Sequence, residues 1–492
     1  MAKINQMGRL TAAWWLMAAG WAAAQSPANY SIPTPKPISP AEGTTNPSAS
    51  ATQRQNPYLG SVPEKNTGGT IELTLDAAIR RGLMYNLGLV ESNQARADVR
   101  AERMRALSTL LPQISGRARQ GFEAASLSEI GIRLPASVGF RLPPTTGNFA
   151  YQDARVALEQ SVFNAGLRAR YRAAQETEKA SALSVSDSRD VVVLAVATAY
   201  LQVIASQARV ETAKAQLATA GEFDQLTANR VNSEVSPEIE SLRAQVQRQS
   251  AEQRLANVSN QLEKDRLTLA RVIGLPIDQE FKLAGRLSDS PSAGVTVESA
   301  TVQALQLRSD LAGAAASVKA AEMTLKAQKA ERLPVVSLNA DYGGAGINVG
   351  NFNQVYSLFG DVTVPILTGG RIRADIEQAR ADLAKAQAEY EDLKGRIAYD
   401  VRVAFLDVTA SQGSVRVAEN NRKLAQQALA QSRDRYVNGV TNYLEIVQAE
   451  EAVSDAEENY IQSLYSLNVS MISLARAMGG AENRISQFLG DK

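Results

Sequence analysis

The side chains most often used for nucleophilic, redox and metal chemistry are missing, because the 492-residue chain has no cysteine and no histidine. A thiol nucleophile, a Ser/His/Asp relay, a Cys/His zinc site and a disulfide framework are all excluded. Carboxylates are the chemistry that remains. Adjacent acids occur at Glu450-Glu451 and Glu457-Glu458, in helical surface patterns where solvation is the ordinary role, so a carboxylate hydrolase finds little support. Isolated acids occur at Glu240 and Glu445, and their spacing of 205 recurs elsewhere in the chain. A glycine-rich run, Gly343-Gly344-Ala345-Gly346, follows an alternating stretch and opens no helix, so it is not read as a phosphate cradle. No enzyme activity, cofactor or metal is expected.

The 52 Lys+Arg and 51 Asp+Glu nearly cancel and are interspersed, so no basic face invites a nucleic acid. Residues 1–24 carry Lys3 and Arg9, no acid, and an apolar stretch from Leu10 to Ala24 that ends in Ala22-Ala23-Ala24. That is the pattern of a signal peptide, and the stretch is short for a membrane span. Its removal leaves 50 basic against 51 acidic residues. Residues 25–70 hold eight of the 17 prolines among Ser, Thr, Asn and Gly, a disordered or extended leader. No later segment reads as a continuously apolar membrane helix, so any membrane entry must be made by strands.

From residue 71 the chain follows one plan twice, over 71–290 and 291–482, before a tail at 483–492. Phe163-Asn164-Ala165-Gly166 answers Leu367-Thr368-Gly369-Gly370, and Ala199-Tyr200-Leu201 answers Ala404-Phe405-Leu406. Leu269-Ala270-Arg271 with Gly274 likewise answers Leu474-Ala475-Arg476 with Gly479. These pairs are offset by 204 or 205, whereas Leu111-Pro112 and Leu333-Pro334 are offset by 222, so the first copy has an insertion. It falls near Phe122 to Asn148, contains Pro135, Pro143 and Pro144, and is expected to be a cell-exterior loop.

Each copy reads as helix, strand pair, long helix, reversal and returning helix. The strand pairs lie at about 111–163 and 333–367, and the reversals at about 232–237 and 437–442. Leu167 to Ala220 runs 54 residues without Gly or Pro, roughly 80 Å of helix at 1.5 Å per residue. Such a helix must pack laterally on similar helices, and its alanines allow close approach. Between the Leu-Pro and the Gly of each copy the period becomes two. Val336, Leu338, Ala340 and Tyr342 share one face against Ser337, Asn339 and Asp341; Tyr356, Leu358, Val362, Val364 and Ile366 oppose Ser357, Asp361 and Thr363. Ala154, Val156, Leu158, Gln160 and Val162 form the matching face in the first copy. Faces of this kind suit lipid on one side and water on the other.

Four strands cannot close a membrane barrel, and open edges are not tolerated in lipid. The expected fold is therefore mainly α with a small membrane β-barrel portion. Three copies supply a 12-stranded barrel, four strands per chain, continued by a trimeric α-barrel tunnel of long helical hairpins.

Tyr436-Val437-Asn438-Gly439-Val440-Thr441-Asn442-Tyr443-Leu444-Glu445-Ile446-Val447-Gln448-Ala449 resembles the second hairpin tip of the TolC family of outer-membrane efflux proteins. Pro365-Ile366-Leu367-Thr368-Gly369-Gly370 resembles that family's strand-to-helix junction, and the likeness covers roughly 71–482. It implies a homotrimer in outer-membrane lipid with a large periplasmic portion, acting as the passive exit duct of a tripartite efflux or type I secretion system. Its partners would be a periplasmic adaptor (membrane fusion) protein and an inner-membrane RND or ABC transporter. It further implies adaptor contact at Glu234, Val235, Ser236, Asn438, Gly439, Val440 and Thr441, and a periplasmic gate near Glu240, Glu445 and Tyr436.

The chain departs from that pattern in places. Gln448 replaces a second acid, Thr441 stands at the family's arginine partner for Tyr436, and Glu234 stands where the second copy has Gly439. Pro237 is expected in the first turn of the returning helix with Ser236 as its N-cap. A periplasmic coiled-coil scaffold or adaptor is the competing reading of the long helices, but it has no use for four amphipathic strands.

Overall fold

The structure is a computed structural model that describes residues 56–65, 68–124, 145–146, 148–288, 295–348 and 351–482. The signal peptide, most of the leader, the tail and nearly all of the expected exterior loop lie outside the described residues.

The first set of elements is β1 (Ile71–Leu73), α1 (Leu75–Tyr85), α2 (Leu87–Ser108), β2 (Gln113–Glu123), β3 (Phe149–Phe163), α3 (Ala165–Asn232) and α4 (Glu238–Ile273). The second is β4 (Phe281–Leu283), α5 (Val297–Leu307), α6 (Ser309–Ala330), β5 (Val335–Gly346), β6 (Phe352–Thr363), α7 (Arg371–Val437) and α8 (Tyr443–Ala477). Corresponding helices agree in length: 11 and 11 residues, 22 and 22, 68 and 67, 36 and 35.

Where the sequence reads one leading helix per copy, the structure has two. Asn86 (ψ 130°) and Arg308 (ψ 123°) adopt extended backbone and break the ladder. The buried Asn86 side chain makes the break possible, donating from Nδ2 to the Tyr58 carbonyl (2.7 Å) and accepting from the Gly88 amide (3.0 Å).

α3 contains an 18-residue window apolar enough to cross a membrane, which the sequence reading did not single out. Its apolar residues have a different destination. Val192, Val193, Val196 and Ala197 are fully buried in a core shared with α1, the end of α4 and the β1–β4 region. A second core joins α5, α7 and α8 through Ile397, Val401, Leu467, Met471 and Ala475. Burying each large aliphatic side chain contributes about 1.5–3 kcal/mol. β1 and β4 pair in parallel, Ile71 opposite Phe281, and so join the start of the first copy to its end. Tyr200 on α3 caps that joint by donating to the Ala284 carbonyl (2.8 Å).

The remaining strands form one antiparallel sheet in the order β2-β3-β5-β6. Its register places Ile114, Val156, Tyr342, Tyr356, Leu358 and Val362 on one face, each at least 54% exposed. The opposite face carries a polar network: Arg155 bonds Asp153 (2.9 Å) and Asp341 (3.0 Å), Tyr151 donates to Asp153 (2.5 Å), and Ser357 bonds Asp341. Amphipathy this sharp suits a sheet with lipid outside and water inside. Gln160, the polar residue on the apolar face, donates from Nε2 to the carbonyls of Leu110 (3.0 Å) and Ser161 (2.8 Å), while its Oε1 is sealed without a hydrogen-bond partner among the described residues.

Three expected positions move. The register shifts between Ser161 and Phe163, so Phe163 opposes Val336 and Val162 leaves the alternation. β6 ends at Thr363, which puts Val364 and Ile366 in the connection to α7. The glycine-rich run is part of β5, as a close-approach surface: a Cβ on Gly343 would meet the Ala154 carbonyl oxygen at 2.1 Å. β2 and β6 each have one neighbour, leaving two edges for other copies to complete.

Candidate functional site at the hairpin tips

The two long hairpins reverse through the same backbone. After α3, Val235 N–H bonds the Arg230 carbonyl (2.9 Å) and Glu234 N–H that of Val231 (2.9 Å). After α7, Val440 N–H bonds the Arg435 carbonyl (2.8 Å) and Gly439 N–H that of Tyr436 (3.0 Å). These are two Schellman closures at equivalent positions, with the left-handed residue supplied by Gly439 (φ 71°) in one and by Glu234 (φ 59°) in the other. The glutamate holds a conformation that glycine adopts more readily.

The returning helices start differently. Asn442 caps α8, its Oδ1 accepting from the Leu444 amide (3.1 Å). At α4 the expected serine cap does not form: Pro237 is the N-cap, without a side-chain bond, and α4 begins at Glu238. Ser236 Oγ instead accepts from Arg230 Nε (3.2 Å), a partner on the outgoing helix that competes with capping.

Tyr436 sits between the hairpins, 2% exposed. Its hydroxyl donates to Glu240 Oε2 (3.0 Å), the Arg230 guanidinium lies over its ring at 4.8 Å, and Tyr443 meets it edge-on at 6.0 Å. Burial and the Glu240 bond both push its phenol above the ordinary range. Ala244, Ile446 and Phe223 complete a small apolar cluster drawn from all four long helices. Glu445 is tied within its own hairpin, accepting from Ser432 Oγ (3.4 Å) and Thr441 Oγ1 and pairing with Arg435 at 3.6 Å. Thus Glu240, Glu445 and Tyr436 lie at the tips, but the two acids are held by separate sets of partners. Val235 and Val440, 64% and 67% exposed, project from the turns.

Sequence reasoning missed Arg230, Phe223, Tyr443, Arg433 and Glu450. Arg230 and Arg435 are 205 apart and could have been found from the repeat. Glu450 corrects an expectation: it is not a solvated surface acid. Its Oε1 is sealed from solvent with no hydrogen-bond partner among the described residues. Burial pushes its carboxyl up to about 7, against the Arg433 guanidinium, which pulls it down.

An amphipathic sheet with two open edges, continued by paired helices of 68 and 67 residues, defines a subunit of an outer-membrane channel-tunnel. The profile of the outer membrane efflux protein family matches residues 82–275 and 300–480, and the chain belongs to that family. It is 25% identical over 434 residues to the pyoverdine export outer membrane protein OpmQ of Pseudomonas aeruginosa, covering 85% of this chain and 87% of OpmQ. It is also 25% identical over 404 residues to the toluene efflux pump outer membrane protein TtgF of Pseudomonas putida, 77% of each chain. The crystal structure of the outer membrane protein VceC from Vibrio cholerae superposes with a TM-score of 0.68 at 20% identity, covering 82% of this chain and 96% of that one. The protein is an outer-membrane efflux channel whose family members are channel proteins, trimeric within efflux systems.

Proposed function

We propose that this chain is a passive duct without bond chemistry, built of two copies, 71–290 and 291–482, and gated at its hairpin tips. Three chains would place six carboxylates, from Glu240 and Glu445, around the periplasmic mouth. Clustered like charges in a narrow opening draw in cations. The observation that carries the reading is the Tyr436–Glu240 contact, which fastens one hairpin to the other at 3.0 Å where a mouth must part. The partners are a periplasmic adaptor and an inner-membrane RND or ABC transporter, with energy supplied from the inner membrane. Support for adaptor contact comes from Val235 and Val440, exposed apolar residues at equivalent places on both tips, flanked by Glu234, Ser236, Asn438, Gly439 and Thr441. The relatives' names cover pyoverdine and toluene, two unlike cargoes, which supports a duct that leaves selection to its pump.

Replacing Glu240 and Glu445 together by Gln is expected to lower cation preference in planar bilayers. Block by multivalent cations added from the periplasmic side should weaken as well. An unchanged reversal potential in a salt gradient, with unchanged block, would reduce both glutamates to solvated helix residues and remove the gate.

A further inference from the structure

Tyr443, Ile446 and Glu450 recur on one face of α8, and that face looks into the meeting of both hairpins. Tyr443 and Ile446 are fully buried against Phe223 of α3 and Tyr436 of α7. One turn further from the tip the stripe continues with a carboxylate. Glu450 borders a chamber of about 610 Å³ lined by α3, α4, α7 and α8, among them Glu211, Ala220, Gln247, Leu429 and Val453.

The charged groups around it are mostly accounted for. On α3, Glu211 pairs with Lys214 (2.9 Å) and Asp224 with Arg248 of α4 (3.0 Å). Arg254 of α4 bonds Ser454, and Glu457 of α8 accepts from Gln426 (2.7 Å) and faces Arg422 (3.8 Å). Glu451 is exposed. Arg433 of α7 lies over the Phe223 ring at 5.0 Å. Tyr443 is the remaining titratable neighbour, its phenol driven up by burial and by Glu450. Glu450 is the carboxylate here with a sealed, unpartnered oxygen.

We infer that Glu450 is a proton-operated latch, neutral while the hairpins are packed together and ionised when they part and water from the chamber reaches its sealed oxygen. The inference rests on reading the tips as a gate that moves, and it adds what sets the balance of that gate. A buried acid binds its proton more tightly in the packed state, where the value is about 7, than in a hydrated one, where the ordinary 4.5 applies. Parting is hardest below pH 4.5, becomes easier as pH rises towards 7, and levels off above.

The assay is single-channel recording of the full trimeric channel in planar bilayers, with pH set equal on both sides. The open-to-closed ratio should rise about sixtyfold per Glu450 between roughly pH 5 and roughly pH 7.5. Glu450→Gln should stay closed like the acid form and lose the rise, while Glu451→Gln should keep it. Arg433→Met, which removes the cation opposing protonation, should move the midpoint to higher pH, and it serves as the readout if Glu450→Gln does not assemble. A Glu450→Gln channel that retains the parent's rise, or an Arg433→Met midpoint that does not move, overturns the latch. A flat parent profile overturns it too. Each result leaves the mouth intact as long as the Glu240/Glu445 pair still sets cation preference, so the two failures are distinguishable.

Discussion

The first hairpin tip and the second share a backbone and differ in where their acids are anchored. Glu240 reaches across to Tyr436 on the other hairpin, at 3.0 Å. Glu445 closes on Thr441, Ser432 and Arg435, all within its own hairpin. The caps differ too, though both stay within their own hairpins: Asn442 bonds the helix it starts, whereas the first tip has an uncapped Pro237 and a Ser236 bonded by Arg230 of the outgoing helix. The second tip is self-contained and the first is completed by its neighbour. A gate made of one rigid part and one leaning part opens by breaking the contacts between them, and those contacts converge on Tyr436.

The largest effect is therefore expected from Tyr436→Ala. It deletes a ring that is 2% exposed, its bond to Glu240 and the platform under Arg230. Loss of a large buried side chain costs about 3–5 kcal/mol when the site does not collapse. Conductance and amide exchange near Glu240 should both rise, while exchange near Glu445 should change little. Tyr436→Phe keeps the packing and should cost only about 1 kcal/mol. Equal loosening of both tips by Tyr436→Ala would mean that the second is not self-contained.

How much of this was legible depended on range along the chain. The long helices and the strand alternation follow from local periodicity, and the structure has helices of 68 and 67 residues and a four-stranded antiparallel sheet. Asn86 breaks its helix through contacts with Tyr58 and Val272, the latter 186 positions away, which no local pattern displays. Ser236 has the type and position of a cap, but Arg230 competes for its hydroxyl. Glu450 beside Glu451 looks like a solvated pair until the spacing of seven from Tyr443 is noticed, because burial depends on three other helices. Local rules failed where a distant partner decided the outcome.

A smaller effect separates the acids singly. Glu240→Gln removes charge from the bond to Tyr436 and should weaken the contact between hairpins by about 1 kcal/mol. It should therefore raise open probability as well as lower cation preference. Glu445→Gln should lower cation preference alone, since its partners move with it. Matching gating changes in the two single variants, read from the same recordings, would erase the distinction between the tips.

The smallest effect concerns the turn backbone. Glu234 holds φ at 59° where Gly439 holds 71°, so only the first tip carries the steric strain of a side chain in the left-handed region. Nothing lies within 4 Å of a Cβ built on Gly439, so crowding plays no part and the difference is conformational. Glu234→Gly relieves that strain but also enlarges the conformational freedom of the unfolded chain, and the two oppose each other. The net is expected to be a stabilisation of under about 1 kcal/mol, with Gly439→Ala destabilising by about 1 kcal/mol. Amide exchange at Val235 and Val440, whose N–H groups close the two turns, reads each tip separately. Faster exchange at Val235 in Glu234→Gly would show that the glutamate side chain holds the first turn in place, and the leaning tip would then owe its shape to that residue as well as to Tyr436.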